Sequence, residues 1–149
     1  MRSAFLGIVL VVVNQSAFAV QCLTPTEKIA FDVRALQTEL MITALSCGRD
    51  NDYSAFVSSH QRDLAAAYDR ITRHFARVYG GDGQQQGDTY LTDIANAQSK
   101  EKGESSRSFC SRMQPLLYQA MRRQTMRDMA HLVIEWHLTS PHPLAECPN

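Results

Sequence analysis

Cys22 and Cys47 stand at the two ends of one strongly written helix, and that placement restricts how this chain can be stapled. Thr24-Pro25-Thr26-Glu27 supplies a capping threonine, a proline suited to the first helical position, and a glutamate three residues after the cap. Ile29, Val33, Leu36, Leu40, Ala44 and Cys47 then recur in steps of three and four, the period of one helical face. Ala30, Met41 and Leu45 broaden that face. Gly48 follows, where a left-handed cap belongs. A helix of this extent rises ~35 Å, whereas a disulfide needs Cα atoms within about 7 Å. A Cys22–Cys47 bond is therefore excluded, and two pairings remain for the four cysteines.

The remaining chain chooses between them. A polar turn, Arg49 to Asp52, leads into a second helix capped by Asn51 or Asp52. Its stripe is Phe56, His60, Leu64, Ala67, Ile71, Phe75 and Val78, and Gly80-Gly81 ends it. So short a turn makes the first two helices antiparallel. Gly80 to Asp88 reads as a flexible loop. It begins like a G-G-x-G-x-D calcium repeat, but Gln85 holds the aspartate position and no second copy follows. A short third helix is expected over Thr89 to Ser99, with Asp88 as its cap. After a charged connection from Lys100 to Ser106, a fourth helix carries Phe109, Met113, Leu116, Leu117 and Ala120, then Met129, Leu132, Val133 and Trp136. Pro115 lies inside it and is expected to kink or split it. The expectation is an all-α, up-down bundle of about four helices, with a short third helix and a long or proline-broken fourth. In that topology Cys110 lies beside Cys47, and the tail brings Cys147 to Cys22. The second bond is expected to be the weaker in practice, because its ends lie in segments that fray.

Residues 1–19 read as a signal peptide. Arg2 is followed by an apolar run from Ala4 to Val13, and Ala17-Phe18-Ala19 is an A-x-A cleavage site. The run rises only ~15 Å, about half a bilayer core, so it is too short for an anchor. Residues 20–149 then form a single helical domain with a C-terminal tail, with no transmembrane segment after cleavage, placed in the periplasm or secreted. An even cysteine count without C-x-x-C spacing fits a structural disulfide framework in such a compartment. Fifteen Lys and Arg balance fifteen Asp and Glu, and losing Arg2 leaves one net negative charge. That excludes a dedicated nucleic-acid binder.

No catalytic, metal or cofactor motif is assigned. His131 and Glu135 share a helical face, but a zinc site needs further ligands, which His137 and His142 supply only if the tail folds back. His60 falls on an apolar stripe and reads as a histidine held by a local hydrogen bond. His74, beside Arg73 and Arg77, is expected to be exposed. Serines lack the G-x-S-x-G elbow. The candidate interaction face is Arg112, Arg122, Arg123, Met126 and Arg127. Basic residues dominate this region, which suits an anionic surface or another envelope protein.

Arg34-Ala35-Leu36-Gln37-Thr38-Glu39-Leu40-Met41, followed by Ala44-Leu45-Ser46-Cys47, resembles a family of small exported bacterial proteins of unknown function. In that family an LQTELM helix runs into a cysteine and a second cysteine follows downstream. Phe109-Cys110 matches the second cysteine, and Tyr53-x-x-Phe56-Val57 fits the start of the next helix. The resemblance covers Leu36 to Met113 and implies no activity. The tail with Cys147 lies outside it. The function expected is a non-enzymatic binding or envelope-associated interaction protein. The alternative is a small envelope hydrolase using carboxylates and histidines. A cleft joining His60 or His131 to a carboxylate would favour the enzyme, and a filled bundle with an exposed Met/Arg face would favour binding.

Overall fold

The capping signals of the first helix are realised. In the computed structural model, which describes residues 22–100 and 105–148, α1 spans Pro25–Cys47. Glu27 donates its backbone N–H to the Thr24 hydroxyl, and the Glu27 carboxylate accepts from the Thr24 N–H at 2.9 Å. Gly48 closes the helix at φ 64°, a conformation suited to glycine. The signal-peptide reading lies outside the described residues.

Five further helices follow: α2 (Asp50–Ser59), α3 (Gln61–Tyr79), α4 (Gly83–Lys100), α5 (Ser106–Met121) and α6 (Met126–Glu135). A 3₁₀ turn, Gly80–Asp82, joins α3 to α4. Among the described residues there is no strand, only an isolated parallel bridge between Leu23 and Glu146. The all-α expectation holds. α1 packs against each of the other five helices, so it is buried around most of its girth. Such a helix carries buried residues outside its main stripe, here Phe31, Asp32, Ala35, Thr38, Glu39 and Thr43. Phe31 lies at the centre of an aromatic cluster, edge-on to His74, Tyr90 and Phe75 with ring centroids at 5.1, 5.0 and 5.9 Å.

Both expected disulfides are formed. Cys47–Cys110 has a Cα separation of 5.6 Å and Cys22–Cys147 one of 4.8 Å. The tail is also tied by backbone hydrogen bonds, Leu23 N–H to Ala145 O and Cys147 N–H to Leu23 O, each 2.9 Å. It does not rely on the disulfide alone.

Several expectations are corrected. The second helix is not continuous. It breaks at His60 (φ −112°, ψ 17°), where the imidazole faces two backbone carbonyls. It begins at Asp50 behind Arg49, without a side-chain cap from Asn51 or Asp52. The third helix is not short. Residues from Gly83 onward, read as loop, form the first turns of an 18-residue helix, and Asp88 is not its cap. The reason is close packing. A Cβ on Gly83 would sit 2.8 Å from the Ala76 backbone, and one on Gly87 3.4 Å from the Phe75 ring. These two glycines, one helical turn apart, let α4 press against α3. The fourth helix is broken, but not at Pro115, which α5 accommodates on its exposed side. The break falls at Arg122–Thr125, where Thr125 caps α6 by accepting from the Asp128 N–H at 3.1 Å.

Candidate functional site

The basic region predicted on the fourth helix lies along α5, the elbow after it, and α6. Arg122 and Arg127 are exposed. Arg123 is half-buried and pairs with Glu135 at 3.0 Å. Arg112 lies beside the Phe109 ring, 5.9 Å from its centroid, and contacts the Met113 sulfur. Met126 is half-buried against the core. The five predicted residues therefore divide. Arg112, Arg123 and Met126 have contacts within the fold, whereas Arg122 and Arg127 present charge outward. Met121 and Ile134 are exposed on the same two helices. The elbow is held from behind by His60, whose Nε2 lies 2.8 Å from the Arg123 carbonyl.

The histidines are occupied in different ways. His60 is buried, and its Nδ1 lies 3.0 Å from the Phe56 carbonyl, so both ring nitrogens face backbone oxygens. His131 meets Glu135 at 3.5 Å on an open helix surface, not in a cleft. His74 is fully buried, contrary to expectation. It packs edge-on to Phe31, and its Nδ1 lies 3.4 Å from Glu27. Burial pushes its pKa below the ordinary imidazole value and the nearby Arg77 adds to this, against the pull of Glu27. Glu27 itself accepts two hydrogen bonds from Arg77 at 2.8 Å, which joins the start of α1 to the end of α3.

The tail does fold back, and it brings His142 and Ser140 to Asp32. His142 Nε2 lies 2.9 Å from Asp32 Oδ1, the Ser140 hydroxyl donates to the same oxygen at 2.8 Å, and Lys28 reaches the other oxygen at 2.9 Å. Burial alone would raise the Asp32 pKa. The bonds from His142, Lys28 and Ser140 outweigh burial and hold the carboxyl below its usual range. Ser140 and His142 here share one acceptor, Asp32 Oδ1. His142 turns the same nitrogen, Nε2, toward Asp32 and, at 3.4 Å, toward Ser140, so the imidazole does not bridge the two as it does in a serine–histidine–aspartate triad. Among the described residues no group of three His, Cys, Asp or Glu side chains is placed to hold a metal ion.

A second feature had no warning in the sequence. A cleft of about 180 Å³ opens between α1, α4, α5 and the end of α6, with Glu39, Gln98, Arg112, Trp136 and His137 among its lining residues. Glu39 is 5% exposed and Gln98 1%. The α6 terminus explains His137. Its N–H bonds to Ile134 O at 3.2 Å, and the Leu138 N–H bonds to Val133 O at 2.9 Å, the pattern of a Schellman cap. The position after such a cap ordinarily takes glycine. His137 occupies it at φ 50° and is the one non-glycine residue with positive φ among the described residues.

No family model, curated protein or solved structure matches the chain. Among the described residues, no helix is long and apolar enough to cross a membrane.

Proposed function

We propose that this protein is an exported, disulfide-stapled binding module that meets an acidic protein partner through the α5–α6 elbow. The observation that carries the reading is the outward pair Arg122 and Arg127 on a braced elbow, with Met121 and Ile134 exposed on the same helices. Cations beside exposed apolar groups suit a protein surface that combines carboxylates with apolar contacts. Export rests on the A-x-A site at Ala17–Ala19 and agrees with two disulfides, which persist in oxidising compartments. His60 and Asp63 line one depression, as the hydrolase alternative asks, but both ring nitrogens of His60 face backbone oxygens, and His131 meets Glu135 on an open surface, so the binding reading is preferred. Membership of the LQTELM family stays a proposal on its motif.

The test is capture from envelope extract by the tagged protein, with Arg122→Glu/Arg127→Glu as comparator. Exposed charge reversals usually change stability by only about 0.5 kcal/mol, so the variant should stay folded. The wild type should retain an acidic protein at low salt, and the variant should lose it. Equal retention by both proteins removes this face from consideration. Binding only to anionic lipid vesicles overturns the choice of partner. N-terminal sequencing of the exported form should begin at Val20.

A further inference from the structure

We infer that the acidic partner of the elbow is a second copy of this chain, which offers the surface around Asp82 and Asp88 at the start of α4. The inference rests on the elbow reading and names its partner. From Gly80 to Ser99 the chain carries Asp82, Asp88 and Asp93 and no Lys, Arg or His. From Ser105 to Ile134 it carries five arginines against Asp128 alone. The three aspartates are exposed, as are Arg122 and Arg127. Among the described residues none of these five side chains has an ion-pair partner. Other charges near them are paired. On α3, Arg73 meets Asp69 and Arg77 meets Glu27. At the elbow, Glu135 meets Arg123, and Asp128 accepts from the Thr125 hydroxyl at 2.7 Å.

The fold holds the two groups apart. α3 starts beside the elbow, where the His60 ring lies 2.8 Å from the Arg123 carbonyl. It reaches the start of α4 at Ala76, whose backbone a Cβ on Gly83 would meet at 2.8 Å. At the rise of a helix His60 and Ala76 are ~24 Å apart, more than twice the Debye length of about 10 Å at ~0.1 M salt. Lys100 lies at the other end of α4. The unpaired aspartates of Asp82 and Asp88 therefore cannot meet Arg122 and Arg127 of their own chain, but a second molecule set end to end brings them together. Fifteen basic and fifteen acidic residues cancel, so copies do not repel one another through net charge. Apolar groups agree. Tyr79, exposed at the α4 end and stacked on Phe75, gives Met121 and Ile134 a counterpart. The two surfaces differ, so the contact is heterologous: each pair keeps one open elbow and one open acidic surface, and growth continues past the dimer.

Sedimentation velocity of the purified, oxidised protein tests this. At low salt its mean mass should rise with concentration and pass that of a dimer. In about 1 M sodium chloride, where the Debye length is ~3 Å, it should return to the monomer. Asp82→Arg/Asp88→Arg and Arg122→Glu/Arg127→Glu each set like charges against one another, and each should weaken association at least tenfold. Mixed in equal amounts the two variants should associate again, because every contact between them joins opposite charges. Asp82→Asn/Asp88→Asn only removes charge and should weaken association by a smaller factor, which keeps the test decisive if a reversed variant does not fold. The inference is overturned if the wild type is monomeric at every concentration, if growth stops at a dimer, if the asparagine variant associates as the wild type does, or if folded reversed variants fail to recover on mixing. A monomeric wild type that still retains another acidic protein through Arg122 and Arg127 removes this inference and leaves the elbow reading in place. Association that survives Arg122→Glu/Arg127→Glu takes the elbow out of the contact and overturns the inference too.

Discussion

Replacing Gly83 and Gly87 by alanine, one at a time, should move stability in opposite directions. Both residues lie on α4 where it meets α3, and both changes add one methyl group to a helix. In a helix interior alanine is favoured over glycine by about 1 kcal/mol. At Gly87 the new Cβ would rest 3.4 Å from the edge of the Phe75 ring, near ordinary van der Waals contact. Most of the propensity gain should survive there, giving ~0.5–1 kcal/mol of stabilisation. At Gly83 the new Cβ would lie 2.8 Å from Ala76 N, Ala76 Cα and Phe75 O. These are backbone atoms, so no rotamer change relieves the clash and α4 must move away from α3. Forced overpacking costs about 1–3 kcal/mol. Gly83 is the first residue of α4, so little propensity gain offsets it. The two variants should differ by about 2–3 kcal/mol, or roughly 5–10 °C in Tm. Thermal and urea unfolding of both proteins measures this. Equal Tm values, or Gly83→Ala the more stable, would refute the reasoning that close backbone approach holds this helix pair.

Other outcomes follow from the staples and the buried charges. Cys47→Ser/Cys110→Ser opens a loop with a sequence separation of 63 residues, and chain entropy sets the loss at about 4 kcal/mol; urea unfolding measures it, and a change near zero would show strain cancelling the gain. Peptide mapping without reduction should recover Cys22 joined to Cys147 and Cys47 joined to Cys110. The depressed Asp32 pKa contributes stability that is present above the unfolded value of about 3.9 and is lost as pH falls through the folded value. Asp32→Asn should therefore be less stable at pH 7 by about 1–3 kcal/mol and flatter in its acid limb; an unchanged acid limb would show that Asp32 is not the group responsible. His74 also has a depressed pKa, so the unfolded chain takes up the proton first. Stability should fall as pH drops below about 6.5, and His74→Gln should remove that part of the slope.

The first helix was legible in full because all its signals are local. Thr24, Pro25, Glu27 and Gly48 each act on their own turn, and the disulfide pairing followed from helix length and direction. The later elements were misread where tertiary contact overrode local preference. Gly80 to Asp88 has loop composition, yet Gly83 and Gly87 are there for the approach to α3, which no single-chain pattern reveals. Pro115 is the more conspicuous break signal by composition, yet α5 runs through it, and the capping signal Thr125-x-x-Asp128 is where α6 begins. Both halves of the split helix keep apolar stripes, so periodicity ran through the break. His74 reads as polar beside two arginines, but α1 supplies Phe31 on one side of it and Glu27 on another. The cleft was illegible because it joins residues from three helices and the segment that follows α6, and a histidine replacing the usual capping glycine removes the one letter that marks the end of α6.

The central position of α1 sets an order of events during synthesis. Among the described helices α1 is made before the five that cover it, so its apolar girth waits for partners that do not yet exist. Cys22 and Cys47 are also the first two thiols to emerge, and an early oxidant would join them before Cys110 or Cys147 arrived. Helix formation prevents this, since α1 holds the two ends ~35 Å apart as soon as its hydrogen bonds close. The strong capping at both of its ends therefore acts on the nascent chain as well as on the finished fold. A chain with Thr24 and Gly48 replaced should accumulate the wrong Cys22–Cys47 bond while its C-terminal half is still being made, even if the completed protein tolerates both changes.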